Sequence, residues 1–316
     1  MAENTLRSVH IHQPLTNMSV GYHPEGMIAE QVAAVVPVAK ESDFYYIWNK
    51  SDALRRVDTR RADGTRANRV DYGYSRAVYA CDEYALEMQI TDRQRRNADS
   101  ELKLELAKIR RLQDSIKLDQ ESRVADLYTT TANYAGTNFA TLSGVNQWNN
   151  ASFVGSIETV LDDARETVRK LTFSNARPNM VILPEAVAKV VKRDSKVREI
   201  LKYTHSDLLV NGDLPPTLWN MKVVIPSVVE NTNREVFGSD TAVGADVWGK
   251  HVVLTMRPTA PSLDTLAHVY IMRNRDALVE TWRDEPTSSN WYRVGYIQVE
   301  HLVSNVAGYL LRDVIA

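Results

Sequence analysis

The chain has 316 residues, 44% of them hydrophobic and 25% charged, with a formal net charge of −2 at pH 7. That is the profile of a globular protein with a core to bury, and it excludes both a disordered tail and a strongly basic duplex-binding protein. The single cysteine, Cys81, excludes an intrachain disulfide framework and a thiolate-rich metal site.

The N-terminus, MAENTLRSVHIHQP, has no apolar stretch of signal-peptide length, and no run approaches the roughly 18 apolar residues of a membrane span. The expectation is a chain made and kept in a cytosol, with nothing removed ahead of Met1 and no membrane partner. Residues 1–43 carry scattered Pro14, Pro24 and Pro37 without a sustained period, and read as an extended arm that needs a surface to lie on. DFYYIWNK, from Asp43, is aromatic and β-prone. Next, from Leu54 to Val70, comes LRRVDTRRADGTRANRV, with six arginines, two aspartates and no lysine. VDYGYSRAVYACDEYALEMQI then resumes the β-type aromatics. Two strand-like flanks around the Asp63-Gly64 turn signal predict a long β-hairpin. A two-stranded ribbon is marginally stable alone, so this one needs support from elsewhere.

In ADSELKLELAKIRRLQDSIKLDQESRVADLYTTT, Leu102, Leu106, Ile109, Leu112, Ile116, Val124 and Leu127 recur mostly three or four apart. This spacing predicts one amphipathic helix over about 99–131, about 45 Å long, whose apolar stripe thins at Gln113 and Gln120. It reads as a core-packing helix, because a coiled coil would need several sustained heptads. After a polar, Gly-punctuated stretch, SIETVLDDARETVRKL predicts a helix, RPNMVILP a buried strand and EAVAKVVKRDSKVREILKY another helix. This alternation marks a second, α+β region. LWNMKVVIP, DVWGKHVVLTM and LAHVYIMR are further strands, and WYRVGYIQVEHLVSNVAGYLL is a closing β-rich segment that returns to the first region.

The search for chemistry is nearly empty. His10 and His12 share a face of the arm, but no HExxH or cysteine pair supports a metal. There is no GxGxxG, no phosphate loop and no GxSxG elbow. The acidic pairs Asp162-Asp163 and Asp284-Glu285 read as solvated. The expectation is a protein that is not an enzyme, with no cofactor, no metal and no catalytic residue. The arginine stretch keeps three readings: a solvated hairpin, a nucleic-acid contact with tyrosines available to stack on bases, and a protein interface. Arginine in place of lysine favours planar, bidentate pairing with carboxylates.

Four landmarks, VDYGYSRAVYACDEYALEMQITDRQRRNAD at 70–99, LSGVNQW at 142–148, RPNMVILPEAV at 177–187 and DVWGKHVVLTMRPTAP at 246–261, carry a resemblance. In their order, nearly the whole chain resembles the major capsid proteins of tailed bacteriophages. The resemblance implies an α+β fold with an N-terminal arm (1–43), an extended loop (44–80) and a peripheral domain (81–148) holding a spine helix at about 99–131. It also implies an axial domain (149–285) and a C-terminal strand segment (286–316) that returns to the peripheral domain. In that fold the extended loop lies across a neighbouring subunit, which would give Arg55, Arg56, Arg60, Arg61, Arg66 and Arg69 an inter-subunit contact. Asp92, Asp99, Glu101 and Glu105 are candidate acceptors.

The implied function is a major capsid protein that self-assembles as hexamers and pentamers into an icosahedral head around packaged double-stranded DNA, without sequence-specific binding. Its partners would be its own copies, a portal and, because only about 40 residues precede the hairpin, a separate scaffolding protein. A decoration protein stays open. The expected location is the virion, assembled in the host cytoplasm. Some relatives join subunits through a lysine–asparagine bond; the hairpin here offers only Lys50, so the bond is not carried over. The alternatives are an encapsulin-like nanocompartment shell and an Arg/Tyr-rich nucleic-acid-binding protein.

Overall fold

The computed structural model describes residues 10–11, 15–16, 26–48, 56–71, 73–98, 104–172, 177–204, 214–232, 244–263 and 265–316. Its strands are β1 (His10–Ile11), β2 (Ala34–Pro37), β3 (Ser42–Trp48), β4 (Tyr74–Ala80), β5 (Asp82–Thr91), β6 (Phe139–Thr141), β7 (Met180–Ile182) and β8 (Thr217–Leu218). They continue as β9 (Met221–Val224), β10 (Val229–Asn231), β11 (Gly244–Asp246), β12 (Val252–Thr255), β13 (Val269–Asp284), β14 (Ser289–Leu302) and β15 (Gly308–Arg312). The α-helices are α1 (Ala29–Val32), α2 (Asp92–Asn97), α3 (Leu104–Thr129), α4 (Ile157–Thr172), α5 (Glu185–Val191) and α6 (Ser195–Thr204).

Two sheets organise the molecule. One is mixed, in the order β6-β15-β12-β7-β9-β8. Its central strands are buried on both faces, as expected of near-continuous apolar runs. Because side chains alternate along a strand, Val181, Val252, Leu254 and Leu311 join one core with Leu161 and Ala164 of α4 and Val187 of α5. Met180, Ile182, Val253 and Leu310 face the other way, into a second core with Val124, Ala125 and Tyr128 of α3. The other sheet runs β1-β13-β14-β5, with β2 added parallel to β13. Ile90, Val279, Tyr292 and Val294 there pack on Ile109, Leu112 and Ile116. The long helix thus lays its first half on one sheet and its last turns on the other.

Several details differ from the sequence reading. The helix ends at Thr129, two residues short, and 99–103 lie outside the described residues. The expected single helix from Glu185 breaks at Asp194, whose carboxylate accepts the N–H groups of Lys196 (2.8 Å) and Val197 (3.2 Å) and so caps a new helix. LWNMKVVIP folds as the hairpin β8–β9, with Trp219 and Asn220 at φ 49° and 64°, the positive angles a two-residue turn requires. The closing segment is shared between sheets: β14 pairs with β5 and β13, whereas β15 lies between β6 and β12. β13, grouped by sequence with the α+β region, is hydrogen-bonded along its length to β14. Among the described residues, no helix is long and apolar enough to cross a membrane.

Candidate functional site

The ribbon β3–β4 pairs seven residues on each strand, from Ser42↔Ala80 to Trp48↔Tyr74. Strand alternation gives it two unlike faces. On one, Tyr45 and Tyr79 are buried beside Val36, Tyr270 and Met272. Tyr45 Oη lies 2.9 Å from His301 Nε2, and Tyr79 Oη donates to the Lys40 carbonyl at 3.2 Å. These contacts fix the base of the ribbon to the sheet. On the other face, Phe44 is 60% and Tyr74 56% exposed, with Tyr46 and Val78 exposed between them. Tyr46 and Tyr74 meet edge to face at 5.3 Å, and the Arg76 guanidinium sits 5.5 Å from the Tyr46 ring centre. A contiguous apolar strip on a projecting ribbon is a surface suited to contact with another molecule.

At the far end of the ribbon, residues 56–71 form no strand. The hairpin expected through this stretch holds only at the ribbon, because local side-chain bonds compete with ladder pairing. Asp58 Oδ1 accepts the Arg60 N–H at 3.0 Å, and Asn68 Nδ2 donates to the Asp58 carbonyl at 2.8 Å, tying the two limbs of the loop. The tip is a turn closed by Thr65 N–H to Ala62 O at 3.2 Å, with Gly64 at φ 73°, where a side chain would be strained. Arg56, Arg60, Arg61, Arg66 and Arg69 are all exposed, and none forms an ion pair among the described residues. Arg55 lies outside them. Two of the candidate acceptors are already engaged: Arg283 grips both oxygens of Asp92 (2.6 and 2.7 Å), and Arg95 pairs with Glu105. Asp99 and Glu101 lie outside the described residues.

A second polar constellation escaped the sequence reading. Gln113, Lys117, Gln120 and Glu121 of α3, where the apolar stripe thins, are buried. Helix α1 has no side-chain cap of its own. Glu121 supplies one from 92 residues away: Oε2 accepts the N–H groups of Ile28 (3.0 Å) and Ala29 (2.7 Å), and Oε1 accepts Trp248 Nε1–H at 2.7 Å. Burial raises the pKa of Glu121 against these three donors. Beside it, burial also acts to raise Glu30, but the charges of Arg273 and Lys117 outweigh it and hold Glu30 at about 2. His268 is fully buried and stacks on Tyr134 at 4.6 Å, with Nδ1 2.7 Å from the Ser304 carbonyl. Burial lowers its pKa to about 4, so its ring is neutral near pH 7.

Among the described residues, no three His, Cys, Asp or Glu side chains are placed to hold a metal ion. His12 lies outside them, and His10 sits in β1. Asp162 pairs with Arg165, and Glu285 with Arg283.

No family model matches the chain. Over 197 residues it is 24% identical to the major capsid protein of Pseudomonas phage JBD67; the match covers 62% of this chain and 61% of that relative, under two thirds of its length. Among solved structures, it is similar to a phage-related protein from Bordetella bronchiseptica RB50, with 22% identity, a TM-score of 0.73 and coverage of 96% of this chain and 97% of that one. It is also similar to the capsid of the cyanophage P-SCSP1u, with 11% identity, a TM-score of 0.64 and coverage of 92% and 89%. The two solved structures share one α+β architecture with this chain, which thus has the fold of a phage capsid subunit.

Proposed function

We propose that the chain is a major capsid protein whose copies tile an icosahedral shell, as hexamers and pentamers, around packaged double-stranded DNA. One observation carries the reading beyond the fold. A ribbon with an exposed aromatic face ends in an arginine-rich loop that finds no carboxylate among the described residues of its own chain. Such a device contributes little to the stability of its own chain and suits contact with a second molecule. In a shell, each copy extends it over a neighbour, and many weak contacts close into a persistent particle.

In this reading the β1-β13-β14-β5 sheet and the long helix form the peripheral domain, and the six-stranded sheet with α4 to α6 forms the axial domain. Arg55, Arg56, Arg60, Arg61, Arg66 and Arg69 belong to the inter-subunit contact. DNA is held by enclosure, without sequence recognition. Scaffolding and portal proteins are the further partners, and the virion is the location, reached after assembly in the host cytoplasm. The role is structural, not enzymatic.

The test is deletion of Asp58–Asn68. The expected product is a folded subunit, with unchanged far-ultraviolet circular dichroism, that fails to form shells under conditions where the full chain forms them. Unimpaired shells would overturn the interface reading. Uniform shells from the chain expressed alone would remove the need for a separate scaffolding protein.

A further inference from the structure

Helix α2 lies against the first two turns of α3. Lys108 Nζ donates to Gln94 Oε1 at 3.1 Å and to the Gln89 carbonyl at 2.8 Å, and Arg95 pairs with Glu105. Between the two helices runs a groove of about 590 Å³. Thr91, Arg93, Gln94, Asn97 and Lys108 line it with side chains that can donate hydrogen bonds, and no carboxylate lines it. Gln94 Oε1 already accepts Lys108 and the Thr91 N–H, so Gln94 offers the groove its amide hydrogens. Arg96 stands three residues beyond Arg93 and Arg111 three beyond Lys108, so each helix repeats its cation one turn on. Arg93, Arg96, Arg110 and Arg111 are exposed and form no ion pair among the described residues. The face of the sheet turned away from α3 is unlike this one: its Arg275 and Arg293 are answered by Glu83 and Glu280.

We propose that the α2–α3 groove and the arginines that continue it bind the phosphate backbone of duplex DNA, without base readout; this rests on the capsid reading and names the residues that touch the enclosed DNA. Charge and donor type select the occupant. An arginine already paired within the chain has little to give a polyanion, whereas an unpaired one displaces a counterion from phosphate. The mixture of cations with hydroxyl and amide donors is the set that contacts phosphate oxygens in protein–DNA interfaces. The cations are spread along two helices rather than gathered on one point, as a row of phosphates requires. The four unpaired arginines and Lys108 allow about five phosphate contacts. The chain's net charge of −2 keeps the affinity low and the contact sensitive to salt.

The test is fluorescence anisotropy of a short DNA duplex of mixed sequence titrated with the unassembled full chain. The logarithm of the affinity is expected to fall with the logarithm of the salt concentration at a slope of about −4.5. Arg93→Gln with Lys108→Gln, and separately Arg110→Gln with Arg111→Gln, each lower the affinity about ten-fold at low salt and flatten the slope by about 2, with unchanged circular dichroism. Arg60→Gln with Arg66→Gln, in the loop, alters neither. No binding by the wild-type chain at low salt, or a loss caused by the loop pair and not by the α2–α3 pairs, overturns the proposal. So does a surface that holds poly-glutamate in preference to the duplex, which would assign it to an acidic protein segment. Shell yield separates this proposal from the capsid reading. α2–α3 variants that bind the duplex like the wild type overturn the proposal and, if they still form shells, leave the capsid reading standing. No wild-type shells at all, even with a scaffolding protein co-expressed, overturns both.

Discussion

Two charged regions of this chain are solved in opposite ways. Around α1 and α3, every buried charge is answered within the molecule: Glu121 by two backbone amides and an indole, Glu30 by Lys117 and Arg273. In residues 56–71, five arginines stand in solvent with no ion-pair partner among the described residues. Buried charges are expensive unless paired, so the first region stabilises the fold only as a complete set. Solvated charges cost almost nothing, so the second region leaves the stability of the fold nearly unaffected.

The contrast can be broken at several points. Glu121→Ala strands three buried donors and is expected to cost about 3–5 kcal/mol, read from urea unfolding. An unfolding midpoint equal to wild type would show that water replaces the carboxylate and that the joint is not closed. Acid gives the next effect. His268 falls from an ordinary 6.5 to about 4 in the fold, so its contribution is fully present above 6.5 and is lost as the pH drops from 6.5 toward 4. The loss is about 3 kcal/mol by linkage, with Glu30 adding a further loss below 4.5 toward 2 and Glu121, whose pKa is raised, opposing it. Stability that is flat from pH 7 to pH 4 would contradict a buried neutral ring.

Lys117→Met removes one of the two cations on Glu30 and leaves Arg273, so a smaller cost of about 1–2 kcal/mol is expected in the same denaturation assay. The smallest stability effect belongs to the loop. Arg60→Ala with Arg66→Ala is expected to move unfolding by less than about 0.5 kcal/mol while shell yield falls. A large loss of stability there would mean that the arginines serve their own chain.

The two regions were also unequally legible in the sequence. Local signals exposed the ribbon: the β-prone aromatics of DFYYIW and the Asp63-Gly64 turn signal place its strands and its tip without reference to distant residues. The arginine cluster is a contiguous composition anomaly, so the unpaired charge was visible at once, although the Asp58 turn that keeps those residues out of the strands was not. The clamp on α1 was invisible. Gln113 and Gln120 read only as gaps in an apolar stripe, because the groups that the buried polar residues of α3 meet, Glu30 at Lys117 and Ile28, Ala29 and Trp248 at Glu121, lie 87 to 127 residues away in the chain and reach α3 only after folding. The same limit hid the pairing of β13 with β14 and of β15 with both β6 and β12, since a short apolar run does not say which strands will receive it.

The most direct measurement is negative-stain microscopy beside light scattering of the purified chain, with a co-expressed scaffolding protein where needed. Closed shells tens of nanometres across are the expected result. A stable monomer under every such condition would contradict the capsid reading and leave the arginine loop in want of a different partner.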